Sequence, residues 1–246
     1  MSMGNPLGNR RSASFLSLLT VSVLVAVLLS GFTLPGSLTQ IHAVHLAVVS
    51  KVVREVARKE VFKDWQIVKC GEMLSSGDMV KTGENSFALI RFKDNSFVRV
   101  RGWAELTVKG TTEGPSFSKS VNLESGSVGF KITKQRSDEK FRFTSPISVA
   151  SIRGTGGKFV SAALSDTLTV IEGEVLLTNA TSFAHVVVRA GYMGISNSDG
   201  AIFVRMATSA ELTTAGRAAS DDEEMIHGLT WEGDQHWVGD LSSFND

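Results

Sequence analysis

The segment from Arg153 to Gly157 has the residue types that most clearly suit a chemical role. Its sequence, Arg-Gly-Thr-Gly-Gly, would let backbone amides approach an anion while the Arg153 guanidinium supplies positive charge. It lacks the Lys-Ser/Thr pair of a phosphate loop, and no helical pattern follows it. A tight turn between strands, with Arg153 paired to an acidic neighbour, is the favoured interpretation. Arg153, Gly154 and Thr155 are therefore candidate binding residues that also suit a turn.

Trp231 and Trp237 are the second set of candidate binding residues. They lie in a C-terminal segment where, from Glu211 onward, nine acidic residues stand against Arg217 alone. This segment carries a charge of −8, and the rest of the chain carries +8 because the net charge is zero. The tail is expected to dock on a basic surface or to remain solvated. Its aromatic residues are expected either to anchor a partner or to pack on the protein's own domain.

Residues for catalysis or metal binding are sparse. The five histidines are dispersed, and the only close pair, His42 and His45, has no Cys or carboxylate beside it, so no metal site is predicted. There is no Gly-x-Ser-x-Gly nucleophile elbow. Scattered carboxylates could still converge in space into the pair that a glycosidase needs. We expect no catalysis and no cofactor, and a secreted β-fold enzyme acting on polysaccharide is the alternative.

The composition is that of a globular protein without a nucleic-acid-binding character. The 246 residues are 42% hydrophobic and 20% charged, as in folded domains. A net charge of zero gives no overall basic field, so no nucleic-acid partner is expected. The single cysteine, Cys70, excludes a disulfide within the chain. Its place between Val68 and Met73 predicts a buried side chain.

The N-terminal region, residues 1–43, predicts a signal or membrane anchor. Arg10 and Arg11 precede residues 15–34, which carry no charge and would span about 30 Å as a helix. By the positive-inside tendency the amino end stays in the cytoplasm and the rest is delivered outside. An uncleaved inner-membrane anchor is favoured. Export after signal cleavage is the alternative, although residues 41–43 are only a mediocre cleavage site.

Residues 44–207 predict an all-β domain of many short antiparallel strands in a sandwich, roll or solenoid-like arrangement. Short apolar or alternating runs are separated by Gly, Asn or Asp, as in strands joined by turns. Residues 48–56 suit either a strand or a short amphipathic helix. The turn at residues 93–96 predicts a hairpin, and the glycines at 126, 173 and 191 predict recurring hairpins. The acidic tail, residues 208–246, is expected to be partly helical, with an N-cap at Ser220. The predicted strands from the first hairpin onward are 87–92, 97–100, 106–108, 121–123, 128–132, 141–144, 147–152, 158–162, 168–171, 175–177, 186–189, 192–195 and 202–204.

Three groups of residues, spread in order over about residues 48–195, resemble the FecR domain. The first runs from Gly77-Asp78 through Thr82-Gly83 to Ser96. The second comprises Leu123-Glu-Ser-Gly126-Ser-Val128, Phe141-Arg-Phe-Thr144-Ser-Pro146 and Ala150-Ser-Ile-Arg153-Gly-Thr155. The third is Val170-Ile-Glu172-Gly173-Glu-Val175 followed by Ala190-Gly191. The turn residues in these groups are expected to be structural, with Asp or Thr side chains satisfying turn amides and glycines taking positive φ: Gly77, Asp78, Thr82, Gly83, Gly126, Gly173 and Gly191.

The resemblance implies an extracytoplasmic all-β domain that senses a ligand or binds a partner. The best-understood family members are inner-membrane proteins whose cytoplasmic part acts on a sigma factor. About fourteen residues precede the hydrophobic run here, too few for such a part. We therefore expect a stand-alone binding module of the cell envelope, with an unidentified envelope protein or a polysaccharide-like ligand as partner. A membrane partner in a sigma-factor system, acting through another chain, is a further alternative.

Overall fold

Alternating apolar and polar runs, broken by turn residues, give a protein that is mostly β. The computed structural model describes residues 45–113, 116–136 and 139–220. Strands make up 61% and helix 6% of these described residues. The strands are β1 His45–Val53, β2 Val56–Lys59, β3 Gln66–Ile67, β4 Met73–Ser75, β5 Met79–Thr82, β6 Phe87–Phe92, β7 Phe97–Val100, β8 Glu105–Glu113, β9 Ser116–Ile132, β10 Glu139–Thr144, β11 Ser148–Ile152, β12 Thr155–Ser161, β13 Ser165–Glu172, β14 Glu174–Asn179, β15 His185–Arg189, β16 Tyr192–Asn197 and β17 Ile202–Met206, and the helix is α1 Ser209–Ala218.

The strands form two sheets that share β9. Sheet A has the order β4-β1-β6-β7-β9-β12-β13-β16-β17. Sheet B has the order β3-β2-β5-β8-β9-β10-β11-β14-β15. The first part of β9 pairs with β8 and β10 in sheet B, and the last part pairs with β7 and β12 in sheet A. The all-β prediction is confirmed. The prediction of short antiparallel strands holds only in part, because β9 has 17 residues and runs parallel to β10.

One hydrophobic core lies between the inner faces of the two sheets. Phe130 and Phe159 of sheet A contact Phe143 of sheet B, with ring centroids 4.9 and 6.0 Å apart. Phe92 of sheet A meets Phe141 of sheet B edge-on at 5.1 Å. Burial of each phenylalanine side chain stabilises the fold by about 1.5–3 kcal/mol. These rings therefore determine which face of each strand that carries them points into the core.

The chain passes from one sheet to the other at glycines, and this corrects the prediction of recurring hairpins. Gly126, Gly173 and Gly191 all have positive φ, but the chain segments on either side of each do not pair with each other. Gly173 joins β13 of sheet A to β14 of sheet B, and Gly191 joins β15 of sheet B to β16 of sheet A. Gly126 lies inside β9 at its change of sheet, so the two strands predicted at 121–123 and 128–132 are one.

The hairpin predicted at residues 93–96 is confirmed. β6 and β7 pair antiparallel, and Asn95 takes the left-handed conformation in their turn, with φ of 64°. Residues 48–56 form strands β1 and β2, broken at Arg54, which also has positive φ. The strand alternative for this segment is therefore the correct one.

The helix α1 is the last element in the described part of the chain. Its N-cap Thr208 accepts a hydrogen bond from the Glu211 amide, and the Glu211 carboxylate accepts one from the Thr208 amide. The same carboxylate accepts hydrogen bonds from Arg205, and together these lower the pKa of Glu211 to about 2. The helix packs on β9, β12 and β13 and buries Ala215 and Ala218.

Several sequence-based predictions fall outside the described residues. They are the anchor at residues 15–34, the helix following Ser220, and Trp231 with Trp237. Among the residues that the structure does describe, no helix has the length and apolar character to cross a membrane. The prediction that Cys70 is buried is wrong: its side chain is exposed, because the chain between the short strands β3 and β4 lies at the surface, and its thiol donates to the Ser50 carbonyl oxygen at 3.1 Å.

Candidate functional site

A cleft of about 640 Å³ lies where β6, β7, β9, β12 and β13 end on sheet A, and we call it the basic cleft. Four cationic side chains line it, together with one carboxylate. Its lining residues are Arg91, Asn95, Phe97, Lys131, Ile132, Thr133, Lys134, Arg153, Gly154, Thr155 and Glu172.

Strand register brings the floor of the basic cleft together from distant parts of the chain. Arg91 of β6 lies opposite Phe97 of β7, which lies opposite Lys131 of β9. Lys131 pairs in turn with Gly156 of β12, and Gly156 with Glu172 of β13. Because paired residues share a face of the sheet, this row places two cations, one aromatic ring and one carboxylate side by side.

The segment after β9, which carries Lys134, is held against the β6–β7 turn. The Thr133 hydroxyl donates to the Asp94 carbonyl oxygen at 3.0 Å, and the Thr133 amide donates to the Ser96 hydroxyl at 3.0 Å. The Asp94 carboxylate accepts hydrogen bonds from Lys119 and Gln135. Burial alone would raise the pKa of Asp94, but these two donors hold it below its usual value. Asp94 is therefore a structural anion that positions the rim of the basic cleft.

Arg153 and Gly154 reach the opposite rim through the turn that leads from sheet B to sheet A. Gly154 has φ of 74°, and a Cβ on it would lie 3.1 Å from the Cα of Lys134. Only glycine combines this conformation with so close an approach, which brings Arg153 and Lys134 together. The structure therefore gathers all three predicted binding residues of this segment. Thr155 lies inside, however: it is 2% exposed, and its hydroxyl donates to the Glu174 carbonyl oxygen at 3.0 Å.

Among the described residues that line the basic cleft, cationic side chains outnumber carboxylates. Arg91 lies over the Phe97 ring, 5.8 Å from the centroid. Within the described parts of the chain, neither Lys131, Lys134 nor Arg153 forms an ion pair. The expectation that Arg153 pairs with an acidic neighbour is therefore wrong for the described residues: its side chain is exposed and points to the cleft. The arrangement suits capture of an anion.

The remaining turn residues lie away from the basic cleft and have structural roles. Gly77 has positive φ, and the Asp78 carboxylate accepts from the Ser75 amide at 2.8 Å, as predicted for turns. The Thr82 hydroxyl accepts from the Ala104 amide at 3.1 Å. Gly83 differs from the prediction, because it does not take positive φ. It is required for space, since a Cβ there would lie 2.9 Å from the Glu55 Cβ.

The lining residues that sequence reasoning missed include Arg91, Phe97, Lys131 and Lys134. The available local signal was a basic residue at each strand end, Arg91 in β6 and Lys131 in β9, alternating with core residues. Nothing local indicated that these strands are close in space. Among the described residues, no three His, Cys, Asp or Glu side chains lie together in a way that could hold a metal ion.

The family model described as FecR protein matches residues 78–176, which include Arg91, Lys131 and Arg153. No curated protein matches the sequence. Two crystal structures of a candidate anti-sigma factor from Parabacteroides distasonis ATCC 8503, at 2.50 and 1.65 Å resolution, are similar to this chain with TM-scores of 0.47 and 0.46. In both comparisons the sequence identity is 14%, and the alignment covers 55% of this chain and 62% of the other.

Proposed function

Because residues 78–176 are a FecR domain, as their turn motifs predicted, we propose that this chain is a non-catalytic binding module acting outside the cytoplasm. Its basic cleft takes an acidic segment of a partner protein. The observation that carries the proposal is the convergence of Arg91, Lys131, Lys134 and Arg153 around one cleft that contains a single described carboxylate, Glu172.

The affinity of the basic cleft for an acidic segment depends on how exposed its cationic side chains are. An exposed ion pair contributes about 0.2–1 kcal/mol, and a charge-assisted hydrogen bond from an arginine about 1.5–3 kcal/mol. Two lysines and two arginines acting together therefore contribute about 3–8 kcal/mol, which corresponds to a dissociation constant of roughly 1 μM to 3 mM at low salt. Since the lysines and Arg153 are exposed, this affinity falls as ionic strength rises.

A protein segment suits the basic cleft better than a sugar chain does. The Phe97 ring lies under the Arg91 guanidinium, so it is not a free platform for stacking on a sugar ring. Carboxylates of Asp and Glu match two guanidinium groups and two ammonium groups directly. The polysaccharide-active enzyme has less support, since a glycosidase needs two carboxyl groups about 5–9.5 Å apart and Glu172 is the one described carboxylate in the cleft.

The location is part of the proposal and rests on the N-terminal sequence. Arg10 and Arg11 before the uncharged residues 15–34 favour an inner-membrane anchor with the β domain outside. Membership of a sigma-factor system is the form of this proposal that the family favours.

The test is binding of a fluorescein-labelled deca-glutamate peptide to the full chain, followed by fluorescence anisotropy at 50 mM salt. The triple variant Lys131→Gln, Lys134→Gln, Arg153→Gln removes three cations from the cleft. A matched variant, Lys69→Gln, Lys109→Gln, Lys140→Gln, removes three exposed lysines elsewhere.

We expect the cleft variant to lose at least about tenfold in affinity, equivalent to about 1.4 kcal/mol, while the matched variant stays within about threefold of wild type. Equal losses in the two variants would show non-specific charge attraction and refute the proposal. Binding of polygalacturonate but not of the peptide would replace the protein partner by an acidic polysaccharide. Release of reducing ends from that polymer would refute the non-catalytic assignment.

A further inference from the structure

The outer face of sheet A is basic beyond the cleft itself. Gly129 of β9 lies two residues before Lys131, on the same face of the sheet. It pairs with Arg99 of β7 on one side and with Lys158 of β12 on the other. Burial lowers the pKa of Lys158, and the nearby positive charge of Arg101 lowers it further. Cations of this face are thus close enough to act on one another, and the face favours an anionic cover.

The helix α1 ends on this face. The carbonyl oxygen of Ala218 lies so close to Gly129 that a side chain there would collide with it. Ala218 and Ala219 are buried, and the Ala219 amide donates to the Ala215 carbonyl oxygen at 2.9 Å. The chain therefore leaves the helix above Gly129, two residues along β9 from Lys131, a separation of about 7 Å at roughly 3.4 Å per residue.

The residues that follow the helix are acidic. Asp221, Asp222, Glu223 and Glu224 come first, and residues 221–246 contain eight acidic residues and no lysine or arginine. Four residues extend to about 13–14 Å, at about 3.3–3.6 Å each. The acidic run from Asp221 to Glu224 is therefore long enough to reach from the end of the helix to Lys131, at the edge of the basic cleft.

We infer that the acidic run Asp221–Glu224 docks into the basic cleft of its own chain, so that a partner binds by displacing it. This inference rests on the same cleft as the proposed function and adds regulation to it. A tethered segment has an effective concentration of the order of 1 mM. If its intrinsic dissociation constant is about 0.1 mM, it weakens the binding of an external peptide by about tenfold.

The first measurement is zero-length carbodiimide cross-linking of the full chain, which joins carboxylates to lysine amines in contact, followed by mass spectrometry of the monomer. We expect cross-links from residues 221–224 to Lys131 or Lys134 and none to Lys69, Lys109 or Lys140. Cross-links from this run only to those distant lysines, only in dimers, or not at all would overturn the inference.

The second measurement compares two full-length variants that each remove four negative charges. The proximal variant is Asp221→Asn, Asp222→Asn, Glu223→Gln, Glu224→Gln, and the distal control is Glu232→Gln, Asp234→Asn, Asp240→Asn, Asp246→Asn. We expect the proximal variant to bind labelled deca-glutamate about tenfold more tightly than wild type, and the distal variant to change less than about threefold.

The two measurements separate this inference from the proposed function. Equal peptide affinities of wild type, proximal and distal variants would overturn the docked tail and leave the cleft as a site for an external partner. Cross-links to Lys131 and Lys134, with no peptide binding even to the proximal variant, would support the docked tail and refute the proposed function.

Discussion

Replacement of Gly126 by alanine tests the crossing of β9 between the two sheets. Gly126 has φ of 96°, a conformation that costs an L-residue about 1–2 kcal/mol. A Cβ on Gly126 would also lie 2.5 Å from the Cα of Ala104 and 2.7 Å from the Trp103 carbonyl oxygen. Both contacts are with backbone that neighbouring strands hold in place, so the overlap costs about a further 1–3 kcal/mol. We expect Gly126→Ala to lose about 2–5 kcal/mol in total.

Gly191 provides the matched control for the backbone strain. It has φ of 86° at another sheet crossing, and no atom lies within 4 Å of a Cβ placed on it. Gly191→Ala should therefore lose only the strain, about 1–2 kcal/mol. The difference between the two variants isolates the steric effect at the crossing.

The assay is urea unfolding of both full-length variants, followed by far-UV circular dichroism. With a slope of about 2 kcal/mol per molar urea, Gly126→Ala lowers the midpoint by about 1–2.5 M and Gly191→Ala by about 0.5–1 M. Unchanged slopes are expected, because both variants keep the same buried surface. Equal midpoints for the two variants would refute the close packing of β9 against Ala104.

For three further substitutions the structure determines the direction of the change in stability or of its dependence on pH. Gly216 is half-buried inside α1, and no atom lies within 4 Å of a Cβ placed on it. Gly216→Ala should therefore stabilise the protein by about 0.5–1 kcal/mol, and a lower melting temperature would contradict this. Asp94→Asn should destabilise by about 1–3 kcal/mol at pH 7. Hydrogen bonds from Lys119 and Gln135 outweigh burial and lower the pKa of Asp94, so its stabilisation is present above the ordinary value of 3.8 and is lost as pH falls through the lowered pKa. Urea unfolding from pH 7 to 2 should thus show the difference from wild type shrinking, and a constant difference would contradict the ion pair with Lys119. Asp166, fully buried at the start of β13, should give the opposite dependence of stability on pH. Burial raises its pKa, although serine hydroxyls donate hydrogen bonds to it. Because the fold favours the neutral carboxyl, the stability of wild type relative to Asp166→Asn should be highest below the ordinary pKa of 3.8 and should fall as pH rises through the raised pKa. A gain with rising pH would refute this.

The strands could be predicted well because alternating apolar and polar residues, and the turn residues between them, are local features of the sequence. Turn residues at 93–96 and the left-handed Asn95 mark a hairpin whose two strands adjoin in the chain. The glycines at 126, 173 and 191 mark turns equally well. The strand segments on either side of each glycine lie in different sheets, however, and only the packing of the shared core decides between a hairpin and a crossing.

The basic cleft could be predicted only at one of its rims. The composition of the Arg153-Gly154 segment indicates either a turn or an anion site. In the structure the segment is a turn that lines the basic cleft. Lys131 and Arg91 are forty residues apart and meet through the register of three strands. Register depends on which face of each strand enters the core, which is a property of the assembled sandwich.

Two errors show where local reasoning failed. Helix α1 was not predicted, although the Thr208-x-x-Glu211 capping box is a readable local signal for its start. Cys70 was assigned to the core from its apolar neighbours. It is exposed because β3 and β4 are only two and three residues long, and the chain between them turns at the surface.

Binding of an acidic segment in the basic cleft is tested most directly by titrating the ¹⁵N-labelled full chain with deca-glutamate and following amide chemical shifts. We expect salt-sensitive, saturable shifts at residues 131–134 and 153–155, and none at Lys109 and Lys140 on sheet B. Saturating shifts confined to sheet B, or no shifts in either the wild type or the proximal tail variant, would contradict the account.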